Sequence, residues 1–558
     1  MKEKWWHQAV GYEVYLRSFQ DSNADGIGDF QGIIRRIPYL KALGINAVWI
    51  TPFYPSPLDD MGYDISDYCA IAPEFGTMSD FEQLVQIAHD AGIRVIIDMV
   101  LNHTSDEHPW FQESNSDRTN PKSDWYCWQD GVNGNPPNNW VSAFEGSAWE
   151  FCESRQQYYL HQFSKKQPDL NWRNPQVVEA MFGMLRFWLD KGVDGLRFDV
   201  FNAMFEAEDL RDNYFIATGT PVDYDQTPDA IVFDPAIVCD NTRNQPETFE
   251  MVRRICNEVI EPYGDILTIG ECWPCTPAVA NEVVGNGALS VAFHFDYHLL
   301  NRMDPVPFKA VMQKWEESLQ WRREGSWNCY YLSNHDMPRQ IDRFGSREKW
   351  VVSAKMLATF LLTAPGMVFL YQGEEIGMTN VSFDSINEYR DIQCINEYKH
   401  LIEMGRSHDE AFLQAQRMSR DNARTPMQWD NSSHGGFTSG TPWITENENH
   451  KVINVEDQLD WDGSILRSYR RLIALRKEHT TLMFGQHRQL LPEHPQLSAT
   501  LREDDNGTYL VLLNLTAQET QWPELGISLE NAELLYANVP YSKSGIPGCA
   551  GFILRVTC

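Results

Sequence analysis

The sequence predicts an α/β protein: a (β/α)8 TIM barrel with an inserted lobe after its third strand and an antiparallel β-domain at its C-terminal end. Three observations predict it. Eight short, β-branched runs punctuate the first two-thirds of the chain, with helix-like stretches between them. A loop-rich segment too long for one crossover helix separates the third run from the fourth. Beyond about residue 480 the helical pattern gives way to strands alone.

The eight runs are GYEVYLRSF (11–19), AVWITPF (47–53), RVIIDMVLNH (94–103), GLRFDV (195–200), ILTIGECW (266–273), ALSVAFHF (288–295), NCYYLSNHD (328–336) and GMVFLYQGEE (366–375). Of the stretches between them, SDFEQLVQIAHDAG (79–92) repeats its apolar residues at helical spacing, and Gly92 stops it. Residues 1–103 and 172–480 then form the two parts of the barrel. Residues 104–171, rich in Asn, Pro, Trp and Ser as in NGNPPNNW (133–140), form a lobe over the barrel mouth. TYLVLLNL (508–515), AELLYANV (532–539) and GFILRVT (551–557) place a small β-sandwich domain at 481–558.

Composition narrows the class of partner. At 558 residues the chain exceeds one ordinary core. With 42% hydrophobic residues it builds a large one. A net charge of −32 argues against nucleic acid and anionic membranes, which both demand a basic surface. It fits a small neutral solute. MKEKWWHQAV lacks an apolar signal core, and no run of eighteen apolar residues occurs. The eleven cysteines contain one CxxC, CWPC (272–275), without the second pair a metal site needs or a thioredoxin-like context. Free thiols then point to the cytoplasm, and a monomer is expected.

Asp199, Glu271 and Asp336 each close a short apolar run, in GLRFDV, IGECW and SNHD. Burying an unpaired charge costs several kcal/mol, so three acids behind strands point to one pocket at the C-terminal mouth of the barrel. Two such carboxyls suit hydrolysis of an acetal: one protonated to donate to the leaving oxygen, the other ionised to attack the anomeric carbon. Arg197 lies on the same strand face as Asp199 and is expected to keep it ionised. Glu271, between an apolar run and Trp273, is expected to hold the proton. His103 and His335 are placed to donate to sugar hydroxyls.

DMVLNH (98–103), GLRFDV, GECW and SNHD, in this order and in an eight-stranded context, resemble the four signature regions of the α-amylase superfamily, glycoside hydrolase family thirteen. The resemblance covers essentially the whole chain. It implies Asp199 as nucleophile, Glu271 as general acid/base and Asp336 as the acid that fixes the distorted sugar ring. The α-anomer is then retained through a β-glucosyl-enzyme intermediate, with no cofactor for catalysis. Arg197, His103 and His335 match positions that hold the glucose.

QPDLNW (167–172) is similar to an extra signature of oligo-1,6-glucosidases, dextran glucosidases and their relatives. Asp60 and Tyr63 in DDMGYD, and Arg424 in RDNARTPMQW (420–429), match residues that clamp the non-reducing glucose; Phe144 and Phe163 match aromatic walls and Gln167 a polar contact. A pocket so closed implies exo-action on a terminal glucose. Val200, after the nucleophile, goes in this subfamily with α-1,6 bonds; Val is also a common strand residue. NRMDP (301–305) is a partial echo of the RLDRD-like loop of sucrose isomerases. Sucrose isomerisation, α-1,4 or sucrose hydrolysis, hydrolysis of trehalose 6-phosphate using Arg302, Arg339 or Arg343, and a binding protein without catalysis are the alternatives.

DSNADGIGD (21–29) spaces Asp21, Asn23, Asp25 and Asp29 alternately around Gly26. This resembles the start of an EF-hand loop, with Gly32 where the twelfth-position Glu would stand. In the subfamily the loop holds one structural Ca2+, with the Ile27 carbonyl as a further ligand; Mg2+ is the other hard cation that would suit it. The same spacing also makes an Asp/Asn-rich turn without metal.

Overall fold

The computed structural model describes residues 3–144, 146–223, 238–285, 287–318 and 327–556. Each predicted run contains a strand: β1 (Val10–Val14), β2 (Ala47–Ile50), β3 (Arg94–Val100), β4 (Gly195–Asp199), β5 (Leu267–Glu271), β6 (Val291–Phe293), β7 (Cys329–Tyr330) and β8 (Met367–Tyr371). They pair in the order β6-β5-β4-β3-β2-β1-β8-β7, parallel throughout. Among the described residues β6 and β7 share no ladder. The seam is held by the Trp327 N–H on the Ser290 carbonyl at 3.3 Å and the Tyr331 hydroxyl on the His294 carbonyl at 3.1 Å.

Period-two alternation decides which side chains fill the barrel. Trp49, Ile96, Ile269, Phe293, Cys329, Tyr331 and Phe369 form an interior cluster. The alternate residues Val48, Ile50, Val95, Ile97, Val368 and Leu370 join the larger core under the helices. Inside, Phe293 lies 5.1 Å from Tyr331 and 5.5 Å from Phe369 in edge-to-face contacts, so the barrel is plugged by aromatic rings below its mouth. Gly11 is required here. A Cβ at this position would stand 2.4 Å from the Phe369 ring.

The expected helix is Met78–Ala91, with a Thr77/Asp80 capping box and Gly92 at φ +78° ending it. Residues 104–171 contain a three-stranded antiparallel sheet of Trp128–Gln129, Gln157–Leu160 and Trp149–Cys152. The C-terminal sheet comprises β9 (Gln486–Gln489), β10 (Leu497–Asp504), β11 (Gly507–Asn514), β12 (Glu533–Ala537) and β13 (Gly551–Val556), in the order β9-β10-β11-β13-β12. Where a sandwich was expected, the described residues contain this one sheet. Leu510, Leu512, Phe552 and Leu554 face a layer of loop side chains that includes Trp522 and Tyr541, and Val511, Leu513 and Ile553 face the main core. A sheet covered on both sides needs no second sheet.

Candidate active site

Asp199 and Glu271 end β4 and β5, and one guanidinium joins them. Arg197 Nη1 lies 2.6 Å from Asp199 Oδ1 and 2.8 Å from Asp98 Oδ1, and its Nη2 lies 2.7 Å from Glu271 Oε2. Arg197 rests 5.0 Å above the Trp49 ring, on the aromatic plug, and is 1% exposed. Asp98, from β3, was not singled out by the sequence. Burial, with Glu271 and Asp98 adding negative charge against Arg197, pushes the Asp199 carboxyl well above its usual range. From the sequence Arg197 is expected to keep Asp199 ionised; in the fold Asp98 and Glu271 draw on the same cation. Three acids share one cation, so Arg197 offsets only part of the negative charge around Asp199.

The turn after Asp199 adds a main-chain contact. Val200 sits at φ 31°, ψ 39°, in the left-handed region, and its N–H donates to Glu271 Oε2 at 3.1 Å. A β-branched residue there costs about 1–3 kcal/mol, strain of the kind that collects at functional sites.

Asp336 and His335 form the opposite side. Burial works against the charge of Asp336, yet His335 Nε2 at 2.9 Å, Arg424 Nη2 at 2.8 Å and Arg420 Nη1 at 3.6 Å hold it well below the usual carboxylate range. The His335 ring stacks on Tyr63 at 5.3 Å. Burial would lower its pKa, but Asp336 and Glu13 carry it up to about 10. The Tyr63 hydroxyl lies 2.7 Å from His335 Nε2 and donates to Asp98 Oδ2 at 3.0 Å, linking the two halves.

The roof comes from the lobe and from the segment after β8. Asp60 Oδ1 lies 3.1 Å from Arg420 Nη2, and Gln167 Nε2 donates to Asp60 Oδ2 at 3.3 Å. His103 Nε2 is 3.1 Å from Gln167 Nε2 and 3.2 Å from the Tyr63 carbonyl. Burial lowers its pKa to about 3, so the ring is neutral. Phe163 packs 5.2 Å from His103 and 5.9 Å from Phe144, and Arg420 lies 5.3 Å over Phe144. Buried Arg424 Nη1 and Asp60 Oδ1 have no aligned hydrogen-bond partner among the described residues.

The thirteen residues predicted for catalysis and substrate binding thus form one connected constellation. Sequence reasoning missed Glu13, Asp98 and Arg420. The signal for Arg420 was its i,i+4 spacing from Arg424 in RDNAR, which puts both cations on one side of the short helix Asp421–Arg424 and its N-cap.

The loop at 21–29 stands apart from this site. Asp21 Oδ1 accepts the Asn23 and Ala24 N–H groups at 2.8 Å, and its Oδ2 accepts Gly26 N–H at 2.8 Å. Asn23 Oδ1 accepts the Asp25 N–H at 2.9 Å and Asp25 Oδ1 that of Ile27 at 2.8 Å, while Asp29 caps the Gly32 N–H at 2.7 Å. Gly26 is at φ +90°, and a Cβ there would strike the Thr441 carbonyl. The donors are all hard oxygens, which suits Ca2+. Among the described residues no three Asp, Glu, His or Cys side chains converge as a metal cluster. Directly behind Glu271, the Cys272 thiol donates to the Pro274 carbonyl at 3.7 Å and the Cys275 thiol to the Thr276 carbonyl at 3.9 Å. All ten described cysteines are free thiols, and no described helix is long and apolar enough to cross a membrane.

Comparison with known proteins agrees with this geometry. Residues 13–485 match the family model of the α-amylase catalytic domain. The chain is 44% identical over 530 residues to an oligo-1,6-glucosidase of Parageobacillus thermoglucosidasius, spanning 92% of this chain and 91% of that one. It is 39% identical over 560 residues to the trehalose-6-phosphate hydrolase of Escherichia coli, spanning 98% and 96%. The crystal structure of the isomaltulose synthase of Protaminobacter rubrum superposes with a TM-score of 0.91 at 36% identity, over 100% of both chains. A family match across most of the barrel, on a site whose acids close its strands, establishes that this chain belongs to the α-amylase family.

Proposed function

We propose that the chain is a retaining, exo-acting α-glucosidase that hydrolyses α-1,6 bonds at the non-reducing end of short glucosides such as isomaltose, isomaltulose and isomalto-oligosaccharides. The observation that carries the reading is the single guanidinium gripping both Asp199 and Glu271. It holds the two carboxyls on one cation, 2.6 and 2.7 Å from its two terminal nitrogens, which fits the close pair (~5 Å) of retaining enzymes better than the wider pair (~6.5–9.5 Å) of inverting ones. Glu271 gives its proton to the glycosidic oxygen as Asp199 attacks the anomeric carbon. The aglycone leaves, and Glu271 then takes a proton from the water that opens the β-glucosyl ester. Asp336, kept ionised, braces the sugar ring, and the ring of Asp60, Arg420, Arg424 and Phe144 stops the pocket behind one glucose.

Val200 and the relatives named oligo-1,6-glucosidase support the α-1,6 linkage. Of the three arginine candidates for a phosphorylated aglycone, exposed Arg302 stays available and the other two are taken up by the fold. Arg343 gives Nη2 to the carbonyls of Tyr297, His298 and Leu300, at 2.7 to 2.8 Å. Arg339 likewise donates to the carbonyls of Gln372, Asn422 and Ala423. Both are buried and satisfied, so neither offers a cation to a phosphate. Release of glucose from isomaltose as the α-anomer first, abolished by Asp199→Asn in a folded protein, is expected. Conversion of sucrose to an isomer with no hydrolysis of isomaltose, or activity confined to 6-phosphorylated substrates, would overturn the assignment.

We also propose that the loop at 21–29 binds one structural Ca2+ through Asp21, Asn23, Asp25, Asp29 and the Ile27 carbonyl, with Mg2+ as a weaker substitute. Calorimetric titration of chelated protein tests it, and absence of uptake of either ion refutes it. The free thiols and acidic surface favour a monomer working in the cytoplasm.

A further inference from the structure

Glu13 is a buried acid that no step above uses. It lies on β1, facing the barrel mouth, and is 1% exposed. Its Oε1 is 2.6 Å from His335 Nδ1 and also accepts the His335 main-chain N–H at 3.3 Å. On the other side of the ring, Nε2 lies 2.9 Å from Asp336 Oδ2 and 2.7 Å from the Tyr63 hydroxyl. That hydroxyl is already spent as a donor to Asp98, so toward His335 it accepts. A neutral imidazole has one N–H. It would turn a lone pair toward either Glu13 or Asp336, and both placements are repulsive. One proton therefore lies between each carboxyl oxygen and the ring nitrogen it faces; burial raises the Glu13 carboxyl and works against a charged ring, but Asp336 and Glu13 carry His335 up to about 10, so the ring holds both.

We infer that Glu13 is a positioning residue for the proposed hydrolysis: it keeps His335 an imidazolium and aims its Nε2–H at Asp336, so that Asp336 stays an oriented anion against the sugar ring. The other groups facing His335 do not replace it. Tyr15 stacks at 6.0 Å and Trp49 meets the ring edge-on at 5.9 Å. Arg424 Nε donates to the His335 carbonyl at 3.1 Å, and Arg197 lies 5.9 Å over Tyr63. Both cations oppose a charged imidazole, which leaves Glu13, Asp336 and the more distant Asp98 as the anions that support it. Glu13 is the one that fixes Nδ1. A sequence signal exists only in hindsight: GYEVY places one acid among apolar residues on a strand, where it reads equally as a solvent-facing position.

The inference rests on the proposed glucosidase mechanism, and the test separates the two. Glu13→Gln keeps the shape and removes the charge. With p-nitrophenyl α-glucoside as substrate, kcat is expected to fall at least about tenfold with KM within about twofold. The alkaline limb of kcat should move down by about one pH unit or more, so that lowering the pH restores turnover. In a His335→Gln background the same change should add nothing, because the group through which it acts is gone. A folded Glu13→Gln enzyme with wild-type kcat and an unmoved alkaline limb would overturn the inference. Imidazole nitrogen NMR of the unmodified protein decides independently of folding or substrate. The signal lost in His335→Gln should report two protonated nitrogens at about pH 8, and a single protonated nitrogen there would refute the role. Wild-type protein that turned over no α-glucoside would defeat the mechanism and still leave this measurement to decide Glu13.

Discussion

Replacing Arg420 by Met tests how the roof of the pocket is held. Arg420 Nε and Nη2 each lie 2.8 Å from Asp391 Oδ1, Nη2 lies 3.1 Å from Asp60 and Nη1 3.6 Å from Asp336. Asp391 is 1% exposed and Asp60 5%. Removing the cation strands buried carboxylates, a loss of about 3–5 kcal/mol. Spread over 558 residues at about 2.1 cal/mol/K each, that lowers Tm by about 3–4 °C for cooperative unfolding. Arg420→Lys separates charge from geometry. A lysine is one point charge and reaches one of the three acids closely, so it should recover most of the Tm. It should not recover kcat/KM on isomaltose, expected to fall about 10- to 100-fold for the loss of the close charge pairs to Asp60 and Asp336. The assay is calorimetry at neutral pH beside steady-state glucose release. Wild-type kcat/KM in Arg420→Lys would refute the claim that Arg420 sets Asp60 and Asp336 against a sugar, and an unchanged Tm in Arg420→Met would refute the charge accounting.

Two further outcomes follow from single positions. Val200→Thr should lower the ratio of isomaltose to maltose kcat/KM about tenfold, because a hydroxyl replaces a methyl beside the aglycone path while the left-handed turn remains; an unchanged ratio would remove Val200 from the account of linkage. Glu374 is buried, and burial raises its carboxyl to about 8 from 4.5, with the Ser333 hydroxyl bonded to one oxygen. Between those values the folded state binds the proton that the unfolded state has released, so stability falls as pH rises from about 4.5 to 8 and then levels. Glu374→Gln should therefore raise Tm at pH 8 relative to wild type more than at pH 5, in paired calorimetric scans; an equal difference at both would contradict a protonated Glu374.

The barrel was legible because each strand is an apolar run bounded by turn residues, and the three acids were legible because each stands where such a run ends. β9 and β10 were not recognised as strands. Gln486–Gln489 is polar throughout, an edge strand with no alternation to read. The partners of Arg420 were illegible for another reason: Asp60, Asp336 and Asp391 come from separate connections, and only the closed barrel brings them to one guanidinium. The full electrostatic setting of Asp199 was not legible locally because GLRFDV shows one Arg and one Asp, whereas the folded site adds Asp98 and Glu271 to the same cation.

That count of charges separates the two sides of the pocket. At its base, Asp98, Asp199 and Glu271 surround Arg197, an excess of two negative charges in a buried place, and burial together with that excess raises the Asp199 carboxyl. On the facing wall, Asp60, Asp336, Asp391 and Glu13 meet Arg420, Arg424 and a charged His335. The near balance there keeps Asp336 an anion. Environments that push neighbouring carboxyls in opposite directions are how one pocket supplies acid and anion at the same pH. The residual negative charge of the whole site also favours the positive charge that builds on the anomeric carbon in an oxocarbenium-like transition state. His335 links the two functions. Neutralising it would shift the wall toward the excess of the base, which is why the charge of Glu13, across the His335 ring from Asp336, bears on turnover.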